Sequence, residues 1–105
     1  MDLDTLTTLI KQWHEDRKIT VNGNSVMQTV KLYEEGGELA AGIARKNKGL
    51  IKDSIGDMYV VLVAIATLEG FTMEECIEAA YEEIKDRKGY LSQQGNFIKE
   101  GDMDG

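Results

Sequence analysis

The feature that most restricts the fold is an apolar run that directly follows a pair of aspartates. Residues 58–66 read Met-Tyr-Val-Val-Leu-Val-Ala-Ile-Ala, and residues 53–57 before them read Asp-Ser-Ile-Gly-Asp. On a helix, Asp53 and Asp57 lie one turn apart on a stripe that continues into the apolar run. A carboxylate that points into a core is costly unless a cation, a proton or hydrogen bonds compensate it. The run therefore predicts a buried helix with an acidic cluster at the edge of the core.

A second acidic cluster reads Glu-Glu-Gly-Gly-Glu from Glu34 to Glu38, on the preceding predicted helix. Glu34 and Glu38 are separated by about 40° around that helix, and Glu35 and Glu38 by about 60°. Taken alone, these glutamates would be better interpreted as a solvated face. The Asp53 and Asp57 pair favours a functional site instead, because its stripe continues into the core. Two acidic clusters that face each other beside an apolar layer predict a site for a hard divalent cation, Mg²⁺ or Mn²⁺, and argue against zinc.

Composition limits the class of protein. The 105 residues suffice for a single domain with one core, residues 1–105. The net charge of −7 excludes non-specific binding to a nucleic-acid polymer, which needs a basic surface. We expect no signal peptide and no membrane span, because the N-terminus lacks the required pattern and the apolar run is too short. The single Cys76 is consistent with a cytoplasmic protein.

Apolar periodicity and end signals predict an all-α fold, a four-helix up-and-down bundle with a short irregular C-terminal tail. The first helix is indicated by Leu3, Leu6, Ile10, Trp13 and Arg17, which recur at alternating spacings of three and four. The third helix is apolar on all sides from Met58 onward, so burial against a second copy is expected, in a homodimer or homotetramer. The predicted elements are helices over about 2–18, 25–47, 50–69 and 73–88, a connection over 19–24, and the tail over 89–105.

Glycines inside the predicted helices leave two interpretations open. Gly36, Gly37 and Gly56 lie within the acidic clusters, and Gly42 follows one turn later. Each costs roughly 1 kcal/mol relative to alanine in a helix interior. They either allow close packing of helices or leave room for a ligand or metal between backbones.

The acidic motifs resemble those of the MazG-type all-α nucleoside triphosphate pyrophosphohydrolases, whose signature is EExxE followed after a short insert by ExxD. The matching segments here are residues 34–39 and 55–57, with weaker likeness at residues 13–17 and in a Gly-x-Phe-x-Lys-like segment at 95–99. The resemblance extends over nearly the whole chain, but only the two acidic motifs are specific to the family. The resemblance implies Mg²⁺-dependent hydrolysis of a nucleoside triphosphate to the monophosphate and pyrophosphate. It also implies Glu35, Glu38 and Asp57 as metal ligands, with Glu34 beside them.

One position departs from the family pattern. The first residue of ExxD is Ser54 here, so a ligand that the family usually supplies is missing. Either Asp53, one turn before Asp57, replaces it as a metal ligand, or Ser54 holds the metal through a water. If neither happens, the site binds metal weakly, and the chain is a non-catalytic relative that binds nucleotide or a protein partner.

The remaining expectations concern catalysis and substrate. Among Glu34, Glu35 and Glu38, one carboxylate serves as general base while others hold metal. Trp13 is either a core anchor or a base-stacking residue, and His14 is expected at the surface. The basic residues that end the last helix are either partners of its dipole or ligands of the β- and γ-phosphates. The predicted substrate-binding residues are Trp13, Arg17, Lys31, Lys85, Arg87 and Lys88.

Overall fold

The computed structural model describes residues 1–102, which are mostly helical. The predicted helical class is therefore confirmed, while the exact bundle and the oligomer remain predictions. Its helices and strands, in chain order, are α1 (Leu3–Asp16), α2 (Ile19–Asn22), α3 (Ser25–Ala44), α4 (Lys48–Leu68), α5 (Met73–Ile84), β1 (Gly89–Leu91), β2 (Phe97–Lys99) and a final 3₁₀ helix (Glu100–Asp102).

Helices α1, α3 and α4 each begin with a side-chain cap. Asp2 accepts a hydrogen bond from the Thr5 amide at 2.8 Å, and Asn24 accepts one from the Met27 amide at 2.9 Å. Asn47 does the same for α4, with the Leu50 amide at 3.1 Å. Each cap satisfies an amide that the helix itself leaves without a partner. Asn47 therefore begins α4, although the sequence placed it at the end of the preceding helix.

Helices α3 and α4 fold back on each other and form the main packing contact of the first unit, residues 1–73. Lys46, in the connection between them, has a left-handed backbone with φ of 55°. At Gly42 an added Cβ would lie 3.2 Å from both the backbone nitrogen and the side chain of Ile51. Close packing thus explains this glycine, because a larger residue would push the two helices apart.

The buried apolar residues of the described chain all come from α4, namely Val61, Val63, Ala64 and Ala66. Helix α1 contacts α4, and the Thr7 and Tyr59 hydroxyls form a hydrogen bond of 2.7 Å between them. The helix that this spacing predicted is present, but its apolar stripe does not meet the core of this chain: Leu3, Leu6 and Trp13 are exposed, whereas Thr7 and His14 are buried. These two residues lie one heptad apart, so a neighbouring face of the helix meets the core.

The second compact unit begins at Glu74 and contains most of α5 and a β-hairpin. Strands β1 and β2 are antiparallel and pair Gly89 with Lys99, Tyr90 with Ile98 and Leu91 with Phe97. The prediction of an irregular tail is therefore wrong over this segment. Each strand has only three residues, too few for alternation to be visible in the sequence. Residues 103–105, the end of the predicted tail, lie outside the described residues.

Several helix limits also differ from the predictions. The expected connection over 19–24 contains the one-turn helix α2, closed by a hydrogen bond from the Asn22 amide to the Lys18 carbonyl at 2.9 Å. Helix α3 ends at Ala44 and not near 47, and α5 ends at Ile84 and not near 88. Within the described residues, no helix is long and apolar enough to cross a membrane.

Candidate functional site

Three of the predicted acidic residues converge between α3 and α4. Glu35 and Glu38 extend from α3 and Asp57 from α4, and each offers one carboxylate oxygen within 4.8 Å of the other two. Glu35 and Glu38 are about one turn apart on their helix, and the fold-back of α4 brings Asp57 opposite them. We call these residues the carboxylate triad. The convergence expected from the sequence is thus present for three carboxylates.

Glu35 is the electrostatic centre of the triad. Its side chain is buried, and its Oε2 has no hydrogen-bond partner among the described residues. Burial raises the pKa of Glu35 above its ordinary value, and the nearby charges of Glu38 and Asp57 raise it further. Lys31 opposes this effect, with its Nζ 3.7 Å from Glu35 Oε1. A single partly exposed ammonium leaves the three carboxylates short of positive charge.

A hard divalent cation fits this donor set. The triad offers only carboxylate oxygens, which Mg²⁺ and Mn²⁺ prefer, and no nitrogen or sulfur ligand. The buried oxygen of Glu35 that lacks a partner is the kind of atom that a cation would satisfy. The described residues are therefore suited to hold such an ion.

Two other predicted acidic residues are not part of the triad. Asp53 is exposed, because Ser54 takes the buried position one turn before Asp57. Ser54 is fully buried, and its hydroxyl has no hydrogen-bond partner among the described residues. The Glu34 side chain is 62% exposed and lies 3.8 Å from Lys31 Nζ. The structure therefore does not bring Asp53 or Glu34 to the three converging carboxylates.

The glycines beside the triad are not explained by close packing within the described chain. A Cβ added at Gly37 or Gly56 would meet nothing within 4 Å among these residues, and at Gly36 only the tip of Met58 at 3.9 Å. Open space at these positions agrees with the alternative of room for a ligand or metal between the backbones.

A cavity of about 450 Å³ opens beside the triad. We call it the Gln28 cavity. Helix α1 contributes Trp13 and His14 to its wall, and α3 contributes Gln28 and Lys31. Glu35 and Asp57 of the triad also line it. A second cavity of about 420 Å³ lies beside Leu9 and shares Trp13 and Asp57 with the first. Trp13 thus forms part of both walls, next to the predicted metal site.

Trp13 is 45% exposed, and the Arg17 guanidinium lies 4.2 Å from the centroid of its ring. The Arg17 Nη1 also donates a hydrogen bond to the Trp13 carbonyl at 3.3 Å. This cation–π contact holds the two side chains together at the cavity. Trp13 is therefore not a fully buried core anchor, although its role in substrate binding stays a prediction.

The expectation that His14 lies at the surface is wrong. The side chain is only 2% exposed, and its Nδ1 has no hydrogen-bond partner among the described residues. Burial lowers the pKa of His14, while a hydrogen bond with the Val60 backbone has the opposite, smaller effect. The sequence held one signal of this position, because Thr7, Ile10 and His14 follow a spacing of three and four that continues onto the buried face of α1.

The other predicted phosphate ligands belong to the second unit. Lys85 forms an ion pair with Glu82 at 2.7 Å, and Arg87 lies 3.6 Å from Glu83. Lys88 accepts a hydrogen bond at its carbonyl from the Glu100 amide at 2.7 Å. These contacts lie within that unit, so phosphate binding by the three residues stays a prediction.

Comparisons with known proteins identify one family. The model of the MazG nucleotide pyrophosphohydrolase domain matches residues 24–91. An uncharacterized 18.2 kDa protein in the rep-hol intergenic region of Haemophilus phage HP1 (strain HP1c1) is 46% identical over 65 residues. That match covers 62% of this chain but only 40% of the phage protein. No solved structure is significantly similar to the chain.

Proposed function

The chain belongs to the MazG nucleotide pyrophosphohydrolase family, and from this premise we propose that it is a Mg²⁺-dependent nucleoside triphosphate pyrophosphohydrolase. The reaction converts an NTP or dNTP and water to the corresponding monophosphate and pyrophosphate. The observation that carries the proposal is the carboxylate triad, with oxygens within 4.8 Å of one another. Mn²⁺ is the alternative ion, because it accepts the same ligands.

In this proposal Glu35, Glu38 and Asp57 hold the cation between α3 and α4. The ion supplies neutralisation of the triphosphate charge and a lower pKa for the attacking water. Either Asp53 or a water on Ser54 provides a further ligand. The Ser54 hydroxyl supports the second option, since it is buried and lacks a protein partner among the described residues.

The proton of the attacking water passes to one of the glutamates of α3. Glu34, Glu35 and Glu38 are the candidates, all on the same stretch of α3. Lys31 lies within 4 Å of both Glu34 and Glu35, so it can turn from these carboxylates to a phosphate oxygen when the cation is bound. Lys85, Arg87 and Lys88 are proposed as additional phosphate ligands.

We also propose that the protein assembles as a homodimer or homotetramer. Large apolar side chains remain exposed along three helices of the first unit. Exposing this much apolar surface to water is unfavourable for a monomer. They include Leu3, Leu6 and Leu9 on α1, Val26, Val30, Tyr33 and Ile43 on α3, and Ile55 and Leu62 on α4.

The test is release of pyrophosphate from a panel of NTPs and dNTPs with Mg²⁺ or Mn²⁺. The native protein should turn over at least one of them, and Glu38→Gln should lower the rate by at least about 100-fold, the scale of losing one electrostatic contact to the transition state. Glu78→Gln, on the exposed surface of α5, is the matched control and should retain full activity. Equal activity in Glu38→Gln would contradict the proposed site.

The second candidate function is that of a non-catalytic bundle that binds nucleotide or a protein partner. It is favoured by one observation, the serine at position 54 where the family supplies an acidic ligand. Nucleotide binding without pyrophosphate release, at every concentration of either metal, would support this candidate and exclude the enzyme.

A further inference from the structure

His14 is a buried polar side chain that neither the triad nor the acidic motifs of the family account for. It lines the Gln28 cavity, is 2% exposed, and its Nδ1 has no hydrogen-bond partner among the described residues. A buried nitrogen without a partner costs free energy that a ligand can recover by completing the hydrogen bond. A ligand in the cavity that His14 lines could form this hydrogen bond.

The surroundings favour a neutral imidazole ring. Burial lowers the pKa of His14, so the uncharged form dominates at neutral pH. A neutral imidazole has one N–H donor and one acceptor nitrogen. The Val60 backbone, inside helix α4, forms a hydrogen bond with the ring. A backbone carbonyl accepts, so the ring N–H is best placed toward Val60.

We propose that Nδ1 of His14 accepts a hydrogen bond from an N–H or O–H donor on the nucleoside part of the substrate. The Gln28 cavity then holds the nucleoside, while the adjoining triad holds the metal and phosphates. This inference rests on the proposed function for the identity of the substrate as a nucleotide. His14 would be a specificity-determining residue, because a nucleoside without the matching donor would leave the buried nitrogen unpaired.

The rest of the cavity suits such a ligand. Trp13 offers an exposed aromatic ring for stacking, and Gln28 offers a second donor and acceptor. Ligand sites commonly combine an apolar wall with a few placed polar groups in a volume of roughly 300–1,000 Å³. The Nδ1 atom is closed to water in this arrangement, so binding requires a small shift of the wall. Met27 lines the same cavity, is 60% exposed and has an unbranched, adaptable side chain.

Two donors on a nucleoside fit this chemistry, an amino or imino group of the base and a hydroxyl of the sugar. Binding of four monophosphates distinguishes a base donor from a sugar donor, namely dAMP, dCMP, dGMP and dTMP. All four share the sugar hydroxyl, so a sugar contact should affect His14 in every case and be lost with the 3′-deoxy analogue. A base contact should affect His14 only with the bases that present a donor at that edge.

The measurement is the long-range ¹H–¹⁵N NMR spectrum of the imidazole ring. His14 is the only histidine of the chain, so the ring signals need no assignment. Without nucleotide, they should show a neutral ring with the proton on Nε2. Addition of at least one of the four monophosphates, with and without Mg²⁺, should move the Nδ1 resonance upfield as it accepts a hydrogen bond. An unmoved resonance with all four, or a proton on Nδ1 in the free protein, would overturn the inference.

Two variants test the energy of the contact. His14→Asn retains an acceptor near the position of Nδ1, whereas His14→Leu does not. For the monophosphate that moves the resonance, His14→Leu should raise the Kd about tenfold, which is the scale of one buried hydrogen bond. His14→Asn should retain most of the native affinity. A Kd unchanged in His14→Leu would contradict the proposal. An equal rise of the Kd in His14→Asn and His14→Leu would contradict it too. If either variant fails to fold, the NMR result on the native protein decides.

The outcomes distinguish this inference from the proposed function. Pyrophosphate release together with an unmoved His14 resonance would overturn the inference and leave the enzyme. A moved resonance without any pyrophosphate release would overturn the enzyme and leave His14 as a nucleoside contact.

Discussion

The two halves of helix α4 bury different kinds of side chain. In its first half, residues 48–57, the fully buried residue is Ser54, and Asp57 joins two glutamates in the triad. In the second half, residues 58–68, the buried residues are apolar, with Val63 and Ala64 no more than 1% exposed. The same helix thus supplies a buried hydroxyl and a triad carboxylate at one end and apolar core residues at the other. In the proposed function the first half serves a ligand site, whereas burial in the second half stabilises the fold.

The largest expected effect separates the two halves by metal binding. Saturation with Mn²⁺ at 100 times its Kd should raise the free energy of unfolding of the native protein by about 2.7 kcal/mol. Asp57→Asn should abolish most of this gain, because it removes a triad carboxylate. The matched variant Asp53→Asn changes an exposed residue outside the triad and should retain the gain. Urea unfolding with and without Mn²⁺ gives both values. An equal loss in Asp53→Asn would show that Asp53 is a ligand, as the sequence predicted.

In the apolar half, Val63→Ala should reduce stability without affecting metal binding. The loss of two buried methyl groups and the resulting cavity should cost about 2 kcal/mol. Leu62→Ala, at a neighbouring position that is 38% exposed, should cost clearly less in the isolated chain. Chemical denaturation measures the cost, and the Mn²⁺-dependent gain should be the same in both variants. If Val63→Ala lowered metal affinity, the two halves would be energetically coupled and the comparison would fail.

At Glu35 the expected effect depends on pH. Its pKa in the folded, metal-free protein is raised above the ordinary value of 4.5 by burial and by Glu38 and Asp57. Well below pH 4.5, Glu35 is protonated in both the folded and the unfolded protein. As the pH rises, Glu35 ionises first in the unfolded protein, which favours unfolding. The contribution of Glu35 to stability is therefore lost as the pH rises through its pKa in the folded protein. Glu35→Gln should therefore become more stable than the native protein as pH rises.

Urea unfolding in EDTA over a pH series measures this difference. Added Mg²⁺ should reverse its sign, because the ion stabilises only the protein that retains the carboxylate. A difference that does not change with pH would show that Glu35 is not electrostatically strained.

The smallest effect is expected at Ser54. Removal of a buried hydroxyl without a partner by Ser54→Ala should raise the free energy of unfolding by about 1 kcal/mol in the absence of metal. Thr67→Val is the opposite case, because the Thr67 hydroxyl donates to the Val63 carbonyl at 3.0 Å. It should bring no such gain. A decrease in Mn²⁺ affinity in Ser54→Ala would show that the serine holds the ion through a water, whereas lower stability in EDTA would contradict the unpaired hydroxyl.

Much of the fold could be predicted because its signals are local. The second helix was predicted to begin at about residue 25, and α3 does begin there, with Asn24 as its cap on the Met27 amide. The β-hairpin could not be predicted in the same way, because pairing Tyr90 with Ile98 depends on a chain reversal between two very short strands. The face of α1 that is buried could not be predicted in this way either. Its most apolar stripe, with Leu6 and Trp13, is exposed in this chain, and a less apolar face meets α4.

For the site, the sequence by itself determined which carboxylates can converge. Glu35 and Glu38 share a helix face by periodicity, and Asp57 precedes an apolar run that has to be buried. Only the tertiary structure decided that Asp53 stays outside and that His14 is enclosed beside the triad. The physical reason is that periodicity fixes the relative angles of side chains on one helix. The rotation of that helix against its neighbours depends on packing, which contiguous sequence does not contain.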